Sequence, residues 1–332
     1  MSRLQMSGVE WNTLDEFDSV DANVGIESTI VRSGNYALNF TLNSTVGVYA
    51  NLAPGIAEGY LRVAVYRAAG GLVAPEVLTW YNGATKMGYI LLDADKPAIY
   101  IDGSLKATAA SAFASGTWHY IDVRVKIADA PNGIVHVLVD GVSVVSWSGD
   151  TRAGFSTLDK VRFGATSSTG KYYLDDMAIN DTNGTKNNSW CGSGKIELLA
   201  PNGAGSNTEW NVSGAGSNWE AVGDNELPPD ASDYVLTDAI GEKDTYNIED
   251  APSVSSIQAV ALSDWLLKSS GATPQNVKQM IVSGVTTSFG KTVTPSTSFK
   301  HYQSVWDEDP DTGLPWTKAM IDALEIGRES AT

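Results

Sequence analysis

Groups able to attack, ligate or shuttle protons are few in this chain of 332 residues: one cysteine, Cys191, three histidines, His119, His136 and His301, and two places where carboxylates crowd, Asp175-Asp176 and Asp307–Asp311. A single cysteine allows neither an internal disulfide nor a Cys-x-x-Cys metal knuckle, and three dispersed histidines leave little for zinc. There is no Gly-x-Ser-x-Gly elbow, so a serine or cysteine triad has nothing to assemble from. Glycoside hydrolysis needs two carboxyl groups across a cleft, about 5–5.5 Å apart for retention or about 6.5–9.5 Å for inversion. Asp175 and Asp176 are neighbours in a strand-like stretch, where successive side chains point to opposite faces. The expectation is one carboxylate in solvent and the other accepting backbone N–H groups. The run Asp307–Asp311 has four carboxylates in five positions but lacks the glycine and distal glutamate of an EF-hand, and reads as a solvated loop. Asp311-Thr-Gly313 predicts a type I turn, held by burial of Trp306 and Trp316 on its flanks.

Paired aromatics raise binding rather than catalysis. Trp80-Tyr81, before Asn82-Gly83, and Tyr172-Tyr173 are pairs of the type on which pyranose rings stack. On a strand one member of each pair must face inward, so half of each pair belongs to the core. Trp80 and Tyr81 are the sugar-binding candidates.

The elements that would position these groups are strands. Hydrophobic residues alternate with period two through residues 60–66, 120–127 and 134–139, the pattern of half-buried antiparallel strands. Residues 128–133 supply Pro131 and Asn132-Gly133 for a hairpin, and Asp140-Gly141 then turns the chain into residues 142–147, a three-stranded meander. His136 shares a face with Ile134 and Leu138, so that face is either core with a satisfied imidazole or the contact with another layer. Turn signals recur every 8–12 residues or so, with no helical periodicity before residue 260, which predicts an all-β fold of two tandem β-sandwich, jelly-roll-like domains. The polar run 181–189 sets the boundary near residue 183, giving domains 1–183 and 184–332. Near the end, Trp316, Met320 and Leu324 recur at helical spacing after Pro315, predicting a short C-terminal helix of at most about three turns that Gly327 terminates.

A formal net charge of −17 repels phosphate backbones and anionic headgroups, so neither nucleic acid nor membrane is an expected partner. The beginning of the sequence lacks the apolar stretch of a secretory signal, from which synthesis in a cytoplasm is expected.

The stretch 28–40, the later Gly116-Thr-Trp-His-Tyr-Ile-Asp-Val, the Val139-Asp-Gly141 turn and the closing Tyr173-Leu-Asp-Asp-Met-Ala-Ile179 resemble a concanavalin A-like, laminin-G-type jelly roll over residues 1–180, in which the Trp118 ring fills the space between sheets. The second half is similar to a module that follows such jelly rolls in head- and tail-associated proteins of double-stranded DNA bacteriophages. Its marks are Asp175–Thr182, Gly194–Asn202, Asn218-Trp-Glu-Ala-Val, Asp233-Tyr-Val, Gly241–Tyr246, Ser256–Val260, Trp306–Thr317 and Ala323–Gly327, in order.

The resemblance implies a non-enzymatic structural component of a tailed-phage virion, a capsid decoration, head fibre or tail-associated protein, assembled in the host cytoplasm. Its implied partners are other virion proteins and further copies of itself, with a trimer as the expected homo-oligomer. The alternative is a carbohydrate-binding module for host-surface glycans. Sandwich glucanases of this fold carry Glu-x-Asp-x-Glu or Glu-x-Asp-x-x-Glu on one strand, and neither pattern occurs here. No cofactor is implied beyond a structural calcium ion, which jelly rolls of this type hold through an aspartate of the last strand, here Asp175 or Asp176.

Overall fold

The computed structural model describes the chain except residues 1, 41–44, 69–73, 167–171, 224–228, 230 and 270–273. About 53% of the chain is strand and 2% helix, an all-β sandwich fold with a short C-terminal helix. Two compact units divide it, Ser2–Glu197 and Leu198–Thr332.

In chain order the first unit contains β1 (Arg3–Ser7), β2 (Ser19–Val20), β3 (Val24–Glu27), β4 (Ala37–Phe40), β5 (Thr45–Ile56), β6 (Glu58–Arg67), β7 (Glu76–Asn82) and β8 (Thr85–Asp93). It continues with β9 (Lys96–Ile101), β10 (Ser104–Thr108), β11 (Trp118–Lys126), β12 (Gly133–Val139), β13 (Val142–Gly149), β14 (Leu158–Thr166) and β15 (Tyr172–Asp181). One sheet has the order β13-β12-β11-β6-β15-β4-β3, with β1 also on β15; the other has the order β10-β9-β8-β7-β14-β5-β2. Their inner faces meet in one core, where Leu61, Val63, Val65, Ile121, Val123, Val125, Val135 and Val137 from the first sheet pack with Val48, Leu78, Trp80, Ile90, Ile99, Val161 and Phe163 from the second.

The predicted meander is present as β11-β12-β13. Its second turn uses positive φ at Asp140 (51°) and Gly141 (80°), the backbone a two-residue hairpin needs to match strand twist. Alternation places Val135, Val137 and Val139 inward, so His136 faces out, where its ring meets Trp190 edge-on at 5.3 Å and its Nε2 pairs with Ser143 Oγ at 2.8 Å. Trp118 is not the inter-sheet filler. Ile121, Val123 and Val125 are the inward set of β11, and this parity turns Trp118 outward against Tyr66, 5.6 Å between centroids.

The second unit contains β16 (Pro201–Thr208), β17 (Asn211–Ser213), β18 (Tyr234–Leu236), β19 (Lys243–Ile248), β20 (Val260–Leu266), β21 (Asn276–Ser283), β22 (Thr286–Val293), β23 (Lys300–Trp306), the helix α1 (Lys318–Asp322) and β24 (Glu325–Ala331). A five-stranded sheet, β16-β19-β24-β21-β22, and the ribbon β20-β23 share a core of Ile248, Leu262, Ile281, Trp306, Trp316, Ile321 and Leu324. Both flanking tryptophans are buried as expected, and Trp316 Nε1 donates to the Trp306 carbonyl at 3.0 Å. Asp309 is not solvated. Its carboxylate is buried and accepts from Ser283 Oγ (2.5 Å) and from both Thr312 N (3.0 Å) and Thr312 Oγ1 (2.6 Å).

The helix is five residues long, capped by Thr317, and does not reach Gly327. Gly327 lies inside β24, between β19 and β21, where a Cβ would sit 2.1 Å from the Asp244 carbonyl oxygen. Strand pairing at the middle of the sheet therefore takes the segment that helical spacing alone assigns to a cap. Gly327→Ala is expected to destabilise the protein by about 3 kcal/mol or more, because the obstructing atom is backbone. Chemical denaturation checks this, and an unchanged midpoint would contradict the packing described.

Candidate functional site

The outer face of the seven-stranded sheet is built from β14 outward. Val161 and Phe163 point into the core, which forces Lys160 and Arg162 to the other side. Cross-strand register then fixes their neighbours. Arg162 is opposite Tyr49 on β5 and Thr79 on β7, Thr79 is opposite Tyr89 on β8, and Tyr89 is opposite Tyr100 on β9. One step along, Lys160 lies between Asn51 and Tyr81, and Tyr81 is opposite Lys86.

The layer has a buried floor and a half-buried top. In the floor, Arg162 Nη2 donates to Glu76 Oε2 (2.7 Å) and Thr79 Oγ1 (3.0 Å), and the other Glu76 oxygen accepts from Lys86 Nζ (2.6 Å). Above it stand four half-buried tyrosines in two pairs. Tyr49 and Tyr81 lie 6.4 Å apart, with Lys160 Nζ over both rings at 5.8 and 5.1 Å. Tyr89 and Tyr100 stack at 4.7 Å and 7°, with Lys86 Nζ 3.9 Å above Tyr89. Burial raises the phenol pKa values of Tyr49, to about 12, and of Tyr81 and Tyr89, so these groups stay protonated and are not bases at neutral pH. Acids at the margin are engaged: Asp21 accepts from Tyr49 OH (2.9 Å), Asp18 from Asn51 N (2.7 Å) and Asp159 from Gly83 N (2.9 Å).

Of the two sugar-binding candidates, only Tyr81 is on this face. Trp80 is fully enclosed in the core and cannot serve as a platform; Gly88 across from it leaves the room its indole fills. Tyr172 is core and Tyr173 is buried against Tyr66 on the other sheet. Tyr49, Tyr89, Tyr100, Lys86, Lys160 and Arg162 were not legible as a group. Each follows the inside-outside rhythm of its own strand, but strand order and the bulge between Trp80 and Tyr81 bring them together.

Asp175 and Asp176 form a different arrangement. A bulge in the pairing of β15 with β6, with Asp176 at φ 49°, breaks the alternation, so both carboxyl groups meet the turn at residues 32–33 and both are fully buried. The expected solvent-facing member does not exist. Asp175 accepts from Arg32 N (2.9 Å), Ser33 N (3.3 Å) and Asp176 N (2.7 Å). Asp176 pairs with the Arg32 guanidinium and accepts from Ser33 Oγ (2.7 Å) and Ile196 N (2.7 Å). Calcium needs six to eight or so oxygen ligands. Here the oxygens are taken by N–H and O–H donors and an arginine stands where a cation would, so the residues do not fit calcium. Among the described residues no cluster of three or more His, Cys, Asp or Glu side chains suits a metal.

The same network straps residues 189–196 across the outer face of the larger sheet. Arg62 Nη1 donates to the carbonyls of Gly192 (3.1 Å) and Gly194 (2.9 Å), Asp122 accepts from Gly192 N (2.8 Å), and Asn180 donates to the Ser189 carbonyl (2.9 Å). These bonds explain why the first compact unit runs to Glu197, past the polar run. Cys191, within the strap, is sealed against the sheet beside Tyr60 and Ala178, and burial pushes its thiol up to about 12, an inert state.

The chain matches no known family profile and no curated protein. Among solved structures, it is similar to an endo-β-1,4-glucuronan lyase from the fungus Trichoderma reesei at 14% identity, covering 54% of this chain and 95% of that one, with a TM-score of 0.42. An alginate lyase from Aplysia kurodai aligns at 13% identity over 54% of this chain and 99% of its own, TM-score 0.42. A carbohydrate esterase from Shiga toxin-encoding bacteriophage phi24B aligns at 15% identity over 54% and 98%, TM-score 0.39. The likeness is one of fold. These neighbours are enzymes, and the expectation of a chain without enzymatic function is withdrawn. The missing glucanase motif excludes one arrangement of carboxylates, whereas this sheet face carries tyrosine, lysine and arginine.

Burial raises the carboxyl pKa of Glu10 to about 8, of Glu16 to about 7 and of Asp122 to about 6, and burial together with repulsion from Asp176 raises that of Asp175. Folded values above unfolded ones mean that the folded state binds these protons more tightly. Their stabilising contribution is full below the unfolded pKa and is lost as pH rises through the folded value. The thermal midpoint is therefore expected to fall between about pH 5 and about pH 8, and Glu10→Gln to flatten that slope. A midpoint that climbs across this window would contradict the assignment.

Proposed function

We propose that the chain recognises an extended carbohydrate through the tyrosine-bearing face of its seven-stranded sheet. The carrying observation is the set Tyr49, Tyr81, Tyr89 and Tyr100, half-buried on one face of a sheet whose other face is core, with Lys160 and Lys86 laid over the rings. Sugar rings present C–H groups to aromatic faces and hydroxyls to N–H and O–H donors, and this layer offers both. The open row across β5, β14, β7, β8 and β9 suits a chain lying on a surface better than a small molecule in a pocket.

The phage setting rests on the ordered sequence marks of the second half. In that setting the protein is a component of a tailed-phage particle, partnered by virion proteins and by copies of itself, with the tyrosine face presented to a host-surface glycan.

A glycan array with purified protein tests it. Wild type is expected to bind a defined set of polysaccharides, and Tyr81→Ala and Tyr89→Ala each to lower affinity roughly tenfold while the protein stays folded at the assay temperature. New reducing ends in the incubated glycan would show that the face also cleaves what it holds. Absence of any glycan binding, or binding indifferent to both substitutions, would overturn the proposal.

A further inference from the structure

The charged groups of the tyrosine face carry the reading further, toward the class of sugar. Lys160, Tyr81 and Lys86 lie in one row on three successive strands, β14, β7 and β8. Two strand steps separate the lysines, about 10 Å. Their donors are unequally committed. Lys86 gives one N–H to Glu76, whereas Lys160 forms no ion pair among the described residues and has ring faces as its neighbours. No nearby acid among the described residues is its ion-pair partner: Glu76 pairs with Arg162 and Lys86, Asp21 accepts from Tyr49 OH, Asp18 from the Asn51 amide and Asp159 from the Gly83 amide. An ammonium with no ion pair among the described residues, held against two ring faces, has donors left for an incoming anion.

From this row we infer that the ligand is an acidic polysaccharide, with carboxylates of alternate sugars on Lys160 and Lys86 and the intervening ring on Tyr81. In an extended β-linked chain, every second sugar presents the same edge, and a disaccharide unit spans the distance that separates these lysines. The sugar carboxylate forms a charge-assisted hydrogen bond with Lys160, which is the specificity-determining residue because its donors are uncommitted. This inference rests on the carbohydrate reading above and adds the charge of the ligand.

The test uses the full chain and three polymers, polyglucuronate, polygalacturonate and polymannuronate, each beside its carboxyl-reduced neutral counterpart. Affinity is measured by calorimetry at low and high salt. At least one acidic polymer is expected to bind about tenfold or more tightly than its neutral partner, with the advantage shrinking in salt. Lys160→Met, which keeps the aliphatic stem, is expected to bring the acidic polymer down to the neutral one, while Lys160→Arg retains the preference. Equal affinity for acidic and neutral partners, or a preference that survives Lys160→Met, overturns the inference and leaves carbohydrate binding standing. No binding to any of the six polymers, nor to any glycan of the array, removes the carbohydrate reading and this inference with it.

Discussion

The pleat of β14 is the constraint on which the proposed working surface depends. This strand is paired on both sides, with β5 and β7, and its Val161 and Phe163 are locked into the core against Val48, Leu78 and Trp80. A slip of one residue would carry Lys160 and Arg162 into that core and expose two large apolar side chains, at a cost of several kcal/mol. The core thus dictates the face. Inward packing of Trp80 turns Tyr81 out, and the flat spacing of the strands sets how far apart the lysines stand.

The opposite sheet solves a different problem. Its outer face carries Arg62, Asp122, Asp176 and Asn180, groups that are expensive to bury without partners. The strap at residues 189–196 supplies those partners as main-chain amides and carbonyls, and the charges in turn hold the strap without help from a disulfide. Arg32 completes the balance at Asp176, the position where a cation-binding site was expected. Burial of so much carboxylate gives this region its dependence on bound protons.

What could be read from the residues follows from how local each feature is. Period-two alternation exposes the sandwich class, the meander β11-β12-β13 and the inward valines, because each depends on a few contiguous residues. Bulges defeat the same rule: at Asp175-Asp176 one residue in a left-handed conformation brings two neighbours to one turn. Competition between levels defeats it as well, since Gly327 looks like a helix stop but is needed by the middle of a sheet. The tyrosine face was the least legible part. Only Tyr81 was singled out, because its partners come from strands whose order in the sheet differs from their order in the chain. Paired acids on one strand are legible as a motif, whereas the surface that assembles joins tyrosines and lysines from different strands.

Aromatic NMR of the protein carrying ¹³C-labelled tyrosine, titrated with an acidic oligosaccharide, addresses the central claim most directly. Signals of Tyr49, Tyr81, Tyr89 and Tyr100 are predicted to shift together and saturably, while those of the enclosed Tyr172, Tyr173 and Tyr246 stay in place. Binding that leaves the four face tyrosines unmoved and perturbs rings elsewhere would contradict the account.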